Sequence, residues 1–295
     1  PNDKEKHYLF YNNYSKNIKL GIQEDILYKN KLIKLLMFPT SKYINNLRTI
    51  DEYIQDSNDK NIYYISGETL LSLRDSPFLE RLNKEDKEVL LMTDPLDDYI
   101  MAVLNSYKNN NFISITKETF KFEDDTNNDM IEFCKKIQEI LGNLVIQVKT
   151  TSKLIDSPCC ISTTTDSWSA NMERIMNAQI MGTHLNSLAS SKKIFEINYN
   201  NIIIKELFRR FKLNKDDKLI NDIILLIYEL SNVNSGFSVQ NPKYFSQRFL
   251  NIVIIGLNLK NFNQEPEPED NQEPEPEVNQ EPEPEDNQEP EPEVN

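Results

Sequence analysis

The spacing of apolar and polar positions predicts a first region in which strands and helices alternate. Residues 1–48 have mostly helical spacing, with a last apolar group just before Pro39. Asp94 is placed to cap a later helix that begins at Pro95. Strand, helix, strand, helix and strand then follow one another over residues 62–65, 68–82, 89–92, 95–107 and 112–115. This order predicts an α/β unit, a parallel sheet covered by helices.

A second region follows the charged stretch 121–129. We predict a helix at 130–141 and strands at 144–150 and 160–164. The rest is predicted to be mainly helical, over residues 168–181, 201–211, 219–231 and 242–257. The second region is therefore predicted to be an α+β domain that ends in helices.

The chain closes with an acidic repeat. From Asn263 onward the 16-residue unit NQEPEPEDNQEPEPEV occurs twice, and it contains almost no apolar side chain. Such a segment cannot bury enough surface to offset the entropy of ordering, so we predict a disordered tail. The predicted domains are residues 1–48, 49–125, 130–260 and 261–295: a helical part, the α/β unit, the α+β domain and the tail.

Charge and cysteine content argue against several functions, namely binding to nucleic acid, to membranes and to structural zinc. The repeat holds 14 Asp and Glu of the 47 in the chain, which leaves 33 acids against 33 Lys and Arg elsewhere. A neutral body with no basic excess favours neither nucleic acid nor anionic lipid as a partner. Its longest apolar runs are too short to cross a bilayer. The three cysteines form no CxxC pair, which argues against a structural zinc site.

Two candidate catalytic arrangements are weak. The turn Ser66-Gly67-Glu68 follows a predicted strand, but it has one glycine and an acid where a bound phosphate would lie. Cys159 or Cys160 could act as a nucleophile with His184 as base. Buried thiols at the start of a strand are also common. We therefore expect no catalysis by this chain, and keep a thiol enzyme as an alternative.

The helix predicted at 168–181 carries an apolar stripe. The stripe repeats at helical spacing and surrounds the only tryptophan of the chain: Trp168, Met172, Ile175, Met176 and Gln179. Flexible methionine side chains suit a surface that accepts many shapes, and an ordinary core-facing stripe would have the same pattern. Periodicity does not separate these two interpretations.

The last two predicted helices carry more apolar positions than one stripe each. We predict that the surplus packs against a second copy of the chain as a four-helix bundle; burial in a monomeric core is the other interpretation. The candidate interface residues are Leu219, Ile220, Ile223, Ile224, Ile227, Leu230, Phe245, Phe249, Ile252 and Val253.

Several segments together resemble a known family. They are IYYISGE at 62–68, SPFLERL at 76–82, DSPCCI at 156–161, WSANMERIMNAQ at 168–179, FEIN at 195–198 and SGFS at 235–238. In this order they resemble heat shock protein 90, from late in its middle domain to its C-terminal dimerisation domain. The match covers about residues 5 to 260, and its most specific segment is 168–179.

The resemblance implies a homodimeric, ATP-driven chaperone that binds unfolded client proteins in protein folding and the stress response. Trp168 and Met172 match positions that contact clients in the family, and the last helices match its dimer bundle. The ATP- and magnesium-binding domain of the family has no counterpart in this sequence, so we expect no cofactor here. A scaffold that dimerises without binding clients is the alternative.

The C-terminal residues differ from those of well-known family members. Cytosolic members end in Met-Glu-Glu-Val-Asp, which binds tetratricopeptide co-chaperones, and reticulum members end in Lys-Asp-Glu-Leu. This chain ends in Glu-Val-Asn. We expect neither that co-chaperone contact nor reticulum retention, which leaves a plastid, a mitochondrion or the cytoplasm as the compartment. The chain starts without Met, and we expect it to be a fragment of a longer protein.

Overall fold

A computed structural model describes residues 3–25, 27–57, 59–122, 127–179, 191–215, 218–239 and 241–257. Residues up to Leu250 form one unit, and those from Asn251 onward form a second. The acidic repeat, His184 and Met181 lie outside the described residues. Among the helices that are described, none combines the length and the apolar character that crossing a membrane requires.

The chain begins with helices, as predicted for residues 1–48. Helix α1 (Lys4–Glu24) starts at Asp3, whose carboxylate accepts a hydrogen bond from the backbone N–H of Lys6. Helix α2 (Lys29–Ile33) follows. A short antiparallel pair, β1 (Met37–Phe38) and β2 (Arg48–Thr49), was not predicted, because two-residue strands leave no periodic signal. Helix α3 (Ile50–Asp56) completes this part.

The predicted parallel sheet is confirmed. Strand β3 (Asn61–Ser66) pairs in parallel with β4 (Leu90–Met92) on one side and with β6 (Asn110–Ser114) on the other. A further edge strand, β5 (Ser106–Tyr107), pairs antiparallel with β6 and was missed. The sheet order is β4-β3-β6-β5.

The helix predicted at 68–82 is wrong as a single element. The chain forms α4 (Leu70–Arg74), a 3-10 turn and α5 (Glu80–Lys84) instead. Pro77 explains the break, because its ring disfavours a helical conformation in the preceding residue. Ser76 is accordingly extended, with φ −68° and ψ 135°.

The start of the next helix, α6 (Pro95–Val103), is confirmed. The Asp94 carboxylate accepts from the N–H of Leu96 at 3.0 Å, and the Asp97 carboxylate accepts from the N–H of Asp94 at 3.2 Å. The helix ends at Val103, four residues before the predicted end, because the chain turns into β5. Helix α6 packs against the helix formed by residues 170–179.

The second region contains a three-stranded sheet with order β7-β9-β8. Its elements are α7 (Ile131–Leu141), β7 (Gln147–Thr151), β8 (Cys159–Thr163), α8 (Ala170–Gln179), β9 (Lys193–Asn198), α9 (Ile202–Leu213), α10 (Lys218–Asn234) and α11 (Pro242–Gly256). The predicted helices are confirmed within a few residues. The sheet has one more strand than the prediction gave.

Strand β9 lies at the centre of that sheet, so the prediction of a mainly helical chain after residue 164 is wrong there. It pairs in parallel with β7 and antiparallel with β8. All six of its side chains are buried, including the charged Lys193 and Glu196. Buried charges removed the apolar run by which a central strand is normally predicted.

Polar and apolar contacts join the two regions. The Glu80 carboxylate of α5 accepts from the N–H groups of Ile155, at 2.6 Å, and Asp156, at 2.9 Å, in the loop between β7 and β8. Leu82 and Cys160 belong to one buried apolar cluster. The loop is therefore held by a carboxylate from the first region, which fixes where β8 begins.

Glu196 is the most deeply buried acid in the described part of the second region. Its carboxylate lies 3.0 Å from the ammonium of Lys153 and 3.2 Å from that of Lys149, and it accepts from the Ser162 hydroxyl at 2.6 Å. Burial alone would raise the pKa of Glu196, but the two lysines and Ser162 outweigh burial and lower it. The side chain is therefore ionised at neutral pH and ties β7, β8 and β9 together.

We predict that Glu196→Gln destabilises the chain by about 3 kcal/mol at pH 7, because it leaves the buried Lys153 ammonium uncompensated. The lowered pKa means that the contribution of Glu196 is complete above the ordinary pKa of a glutamate and is lost as the pH falls below it. Urea unfolding at pH 7 and at about pH 3 tests both statements. The difference between variant and wild type should shrink at the lower pH.

Glu85→Gln is the matched control, because Glu85 forms a more exposed pair with Arg81 at 2.9 Å. Its loss should cost less than about 1 kcal/mol. Equal destabilisation by the two variants would contradict the assignment of Glu196 as the organising charge.

Candidate functional site

Helix α8 carries most of the predicted stripe, but it begins later than predicted. The Ser169 hydroxyl accepts from the N–H of Met172 at 3.0 Å, the contact expected of a helix cap, and Ala170 is the first helical residue. Trp168 therefore precedes the helix instead of lying on it. Ser169 was the sequence signal for this start, because serine is favoured at the residue directly before the first turn of a helix.

The stripe is neither core nor freely exposed. Trp168, Met172, Ile175 and Met176 are each partly buried, and none belongs to a buried apolar cluster. The side chain of Gln179 lies outside the described residues. Met176 is in contact with α6, where the Tyr99 hydroxyl lies 3.9 Å from its sulfur. The structure thus brings four predicted residues to one partly exposed edge.

A cleft of about 340 Å³ opens beside this edge, between α8 and the α/β sheet. Trp168 and Met172 line it from the second region, and Met101 and Phe112 line it from the first. About half of the lining residues are polar, so the cleft combines apolar walls with hydrogen-bonding groups.

Asp98 of α6 is a polar centre of this cleft. One oxygen of its carboxylate, Oδ1, accepts from the hydroxyls of Ser66, at 2.8 Å, and Ser169, at 2.9 Å. The other oxygen, Oδ2, accepts from the side-chain amide of Asn171 at 2.6 Å. Sequence reasoning missed Asp98, because nothing in the spacing links residue 98 to residues 169 and 171.

Lys117 lies at the same cleft. Its ammonium donates to the backbone carbonyls of Thr164, at 3.0 Å, and of Ser167. Burial lowers the pKa of Lys117 to about 8, against the opposing effect of Asp98, Asp166 and Glu118. Two charged side chains thus hold the segment that leads into α8. Lys117 binds its backbone carbonyls, and Asp98 binds the hydroxyl of Ser169.

The structure corrects part of the predicted dimer interface. Ile220, Ile224 and Ile227 of α10 are buried in the core of the chain itself, packed with residues such as Phe195. Ile223 is partly buried against the same core. Leu219 is also partly buried, and Leu230 is exposed. Most of the wide apolar surface of α10 is thus buried in its own domain. The periodicity of the sequence does not distinguish this core surface from an interface with a second chain.

Helix α11 differs from α10. Phe249 is 49 % exposed and Val253 is 38 % exposed, while Phe245 and Ile252 are partly buried. Within the described residues of α11, none is fully buried. The helix therefore presents apolar side chains, such as Phe249 and Val253, that the described residues leave exposed.

The thiol alternative finds no support in the geometry. Cys159 and Cys160 are both buried, and burial raises the pKa of each thiol well above its ordinary value. Their proposed base, His184, lies outside the described residues. Over the residues that the structure describes, no group of three or more His, Cys, Asp and Glu side chains could hold a metal ion.

The turn after β3 does not fit a phosphate. A Cβ atom added at Gly67 would lie 2.6 Å from Leu73 Cδ2, so the space beside this glycine is filled by a leucine side chain. The helix that follows, α4, has only 5 residues. A leucine packed against the glycine and a helix of this length differ from the glycine-rich turn and long helix at which a nucleotide phosphate is usually bound.

Comparison with known proteins gives consistent results. The family model described as Hsp90 protein matches residues 1–288. The chain is 38% identical over 269 residues to the endoplasmin homolog of Arabidopsis thaliana, and 34% identical over 280 residues to that of Catharanthus roseus. It is 32% identical over 277 residues to heat shock protein 83 of Leishmania donovani.

These alignments cover most of this chain and less of its relatives. The alignment with the Arabidopsis thaliana protein includes 88% of this chain and 33% of that relative. The corresponding shares are 91% and 34% for the Catharanthus roseus protein, and 90% and 61% for the Leishmania donovani protein. The match extends through the α/β sheet, the cleft and helices α8 to α11. The chain belongs to the Hsp90 family of heat-shock chaperones.

Proposed function

We propose that this chain is the client-holding and dimerising part of an Hsp90-family chaperone. The observation that carries the proposal is the half-buried edge formed by Trp168, Met172, Ile175 and Met176, of which Trp168 and Met172 line an open cleft. Unfolded clients expose apolar side chains of many shapes, and methionines adapt to such partners better than branched side chains do. The edge is attached to a stable sheet, so it can bind without itself folding.

We propose further that two chains associate through α11. Its exposed Phe249 and Val253 would be covered by the same helix of a second copy. Fully burying side chains of this size contributes about 1.5 to 3 kcal/mol each, enough in sum to offset the entropy of association. Ile220, Ile224 and Ile227 are left out of this interface.

ATP and Mg²⁺ belong, in this proposal, to parts of the whole protein other than the residues described. Relatives that are named endoplasmin homologs support an organelle as the compartment. A scaffold that only dimerises remains the competing function, and the half-buried edge of α8 favours a chaperone over it.

We predict that Trp168→Ser with Met172→Ser weakens client holding about tenfold, because the double change removes the apolar wall of the cleft. The measurement is suppression of the aggregation of a thermally unfolded model client, with the dissociation constant for the unfolded client alongside. Secondary structure and oligomeric state should stay unchanged.

The matched control is Ile202→Ser with Leu213→Ser, which removes two apolar side chains that are 80% and 74% exposed on α9. The control should hold clients as the wild type does. Equal losses in both double variants would mean that holding follows total exposed apolar surface, and the assignment to α8 would be wrong.

For the dimer, we predict that Phe249→Asp with Val253→Asp raises the dissociation constant of the dimer at least about 100-fold, because carboxylates would be buried without partners. Analytical ultracentrifugation over a concentration series measures this shift. The circular dichroism spectrum should be that of the wild type, since neither residue belongs to the core.

Leu27→Asp serves as the control, because Leu27 is 87% exposed at a site far along the sequence. It should leave the dimer intact. A dimer that survives the Phe249 and Val253 changes would place the interface on another surface.

We also predict that the chain alone does not hydrolyse ATP. Phosphate release should equal the buffer blank with or without Mg²⁺, because the described residues contain no phosphate cradle. Turnover that co-purifies with the chain at constant specific activity through two unrelated columns would contradict this proposal.

A further inference from the structure

The N-terminus of α8 is held by residues from the first region of the chain. We propose that Asp98 on α6 is a positioning residue for the client-binding edge. It fixes the positions of Trp168 and Met172 relative to Met101 and Phe112 across the cleft. This inference rests on the proposed function for its consequence, while its structural part can be tested without any client.

The first support is a direct hydrogen-bonded path. Asp98 Oδ1 accepts from the Ser169 hydroxyl at 2.9 Å, and the same hydroxyl accepts from the N–H of Met172 at 3.0 Å. The residue that caps α8 is therefore itself bound by Asp98. A carboxylate at this end of a helix is also favoured by the partial positive charge of the helix N-terminus.

The second support is the buried side chain of Asn171, whose amide group donates a hydrogen bond to Asp98. The Asn171 side chain is buried; its amide donates to Asp98 Oδ2 at 2.6 Å and its oxygen accepts from Arg174 at 2.9 Å. Removing the carboxylate would leave a buried amide donor without its acceptor, which is costly. The first turn of α8 would then move to satisfy it.

The third support is a second charged residue, Lys117, which binds the chain on the other side of Trp168. Lys117 donates to the carbonyls of Thr164 and Ser167, immediately before Trp168. Trp168 is therefore held on its N-terminal side by Lys117 and on its C-terminal side, through Ser169, by Asp98. With one anchor removed, the segment keeps the other, so the edge should shift without the domain unfolding.

The chain reports on this edge by itself, because Trp168 is its only tryptophan. In Asp98→Ala we expect a red-shifted Trp168 emission and about twofold stronger acrylamide quenching, while far-ultraviolet circular dichroism stays that of the folded wild type. Client holding should weaken about fivefold to tenfold, as expected for loss of a charge-assisted hydrogen bond. Asp98→Glu keeps the carboxylate and should restore most of both signals.

Ser169→Ala provides a second variant in case Asp98→Ala unfolds. It breaks the same path at its middle residue and should shift Trp168 emission in the same direction. Glu68→Gln is the matched control, since Glu68 faces α8 through an exposed pair with Arg174 at 3.6 Å. It should change neither emission nor holding.

The outcomes separate the two proposals. If the Trp168 and Met172 changes leave holding intact, the proposed client site fails, and the emission of Asp98→Ala still decides whether Asp98 positions the edge. Wild-type emission and quenching in folded Asp98→Ala and in Ser169→Ala would overturn the inference. So would an equal shift in Glu68→Gln, because the effect would then be a general one of charge near α8.

Discussion

A buried carboxylate organises the second region. Glu196 lies in the central strand β9, and its contacts with Lys149, Lys153 and Ser162 reach both neighbouring strands. Two cations on one acid compensate its negative charge, which is the condition under which a buried charge is tolerated. The position of β9 in turn fixes β8, and β8 leads through residues 164–169 to α8.

The candidate site depends on that sheet and on the first region together. Glu80 binds the loop before β8, while Asp98 and Lys117 bind the segment after it. All three contacts are charge-assisted hydrogen bonds, which are directional and lose strength when the two groups move apart. The edge that carries Trp168 and Met172 is therefore placed by directional contacts, whereas its own surface is apolar and adaptable.

This division suits a chaperone of the Hsp90 family. Met172 and Met176 give this edge side chains with several accessible rotamers, which is the property of a surface that adapts to different shapes. Because Trp168 and Met172 line the cleft against Met101 and Phe112 of the other region, a change in how the two regions pack would alter this surface. Helix α11 differs, because Phe249 and Val253 on it are exposed while Phe245 and Ile252 are only partly buried.

Elements with a local cause could be predicted from the order of residues alone. Short apolar runs predicted the parallel strands β3, β4 and β6, Asp94 and Pro95 predicted the start of α6, and the motif around Trp168 indicated the family. Which apolar faces are core is visible in the folded chain alone: Ile220, Ile224 and Ile227 share the periodicity of a surface stripe, yet they are buried in their own domain. It alone also revealed β9, since its buried Lys193 and Glu196 hide the strand pattern. Asp98 and Ser169, 71 residues apart, meet for the same reason: burial and charge pairing are settled by contacts between distant segments, which no local pattern encodes.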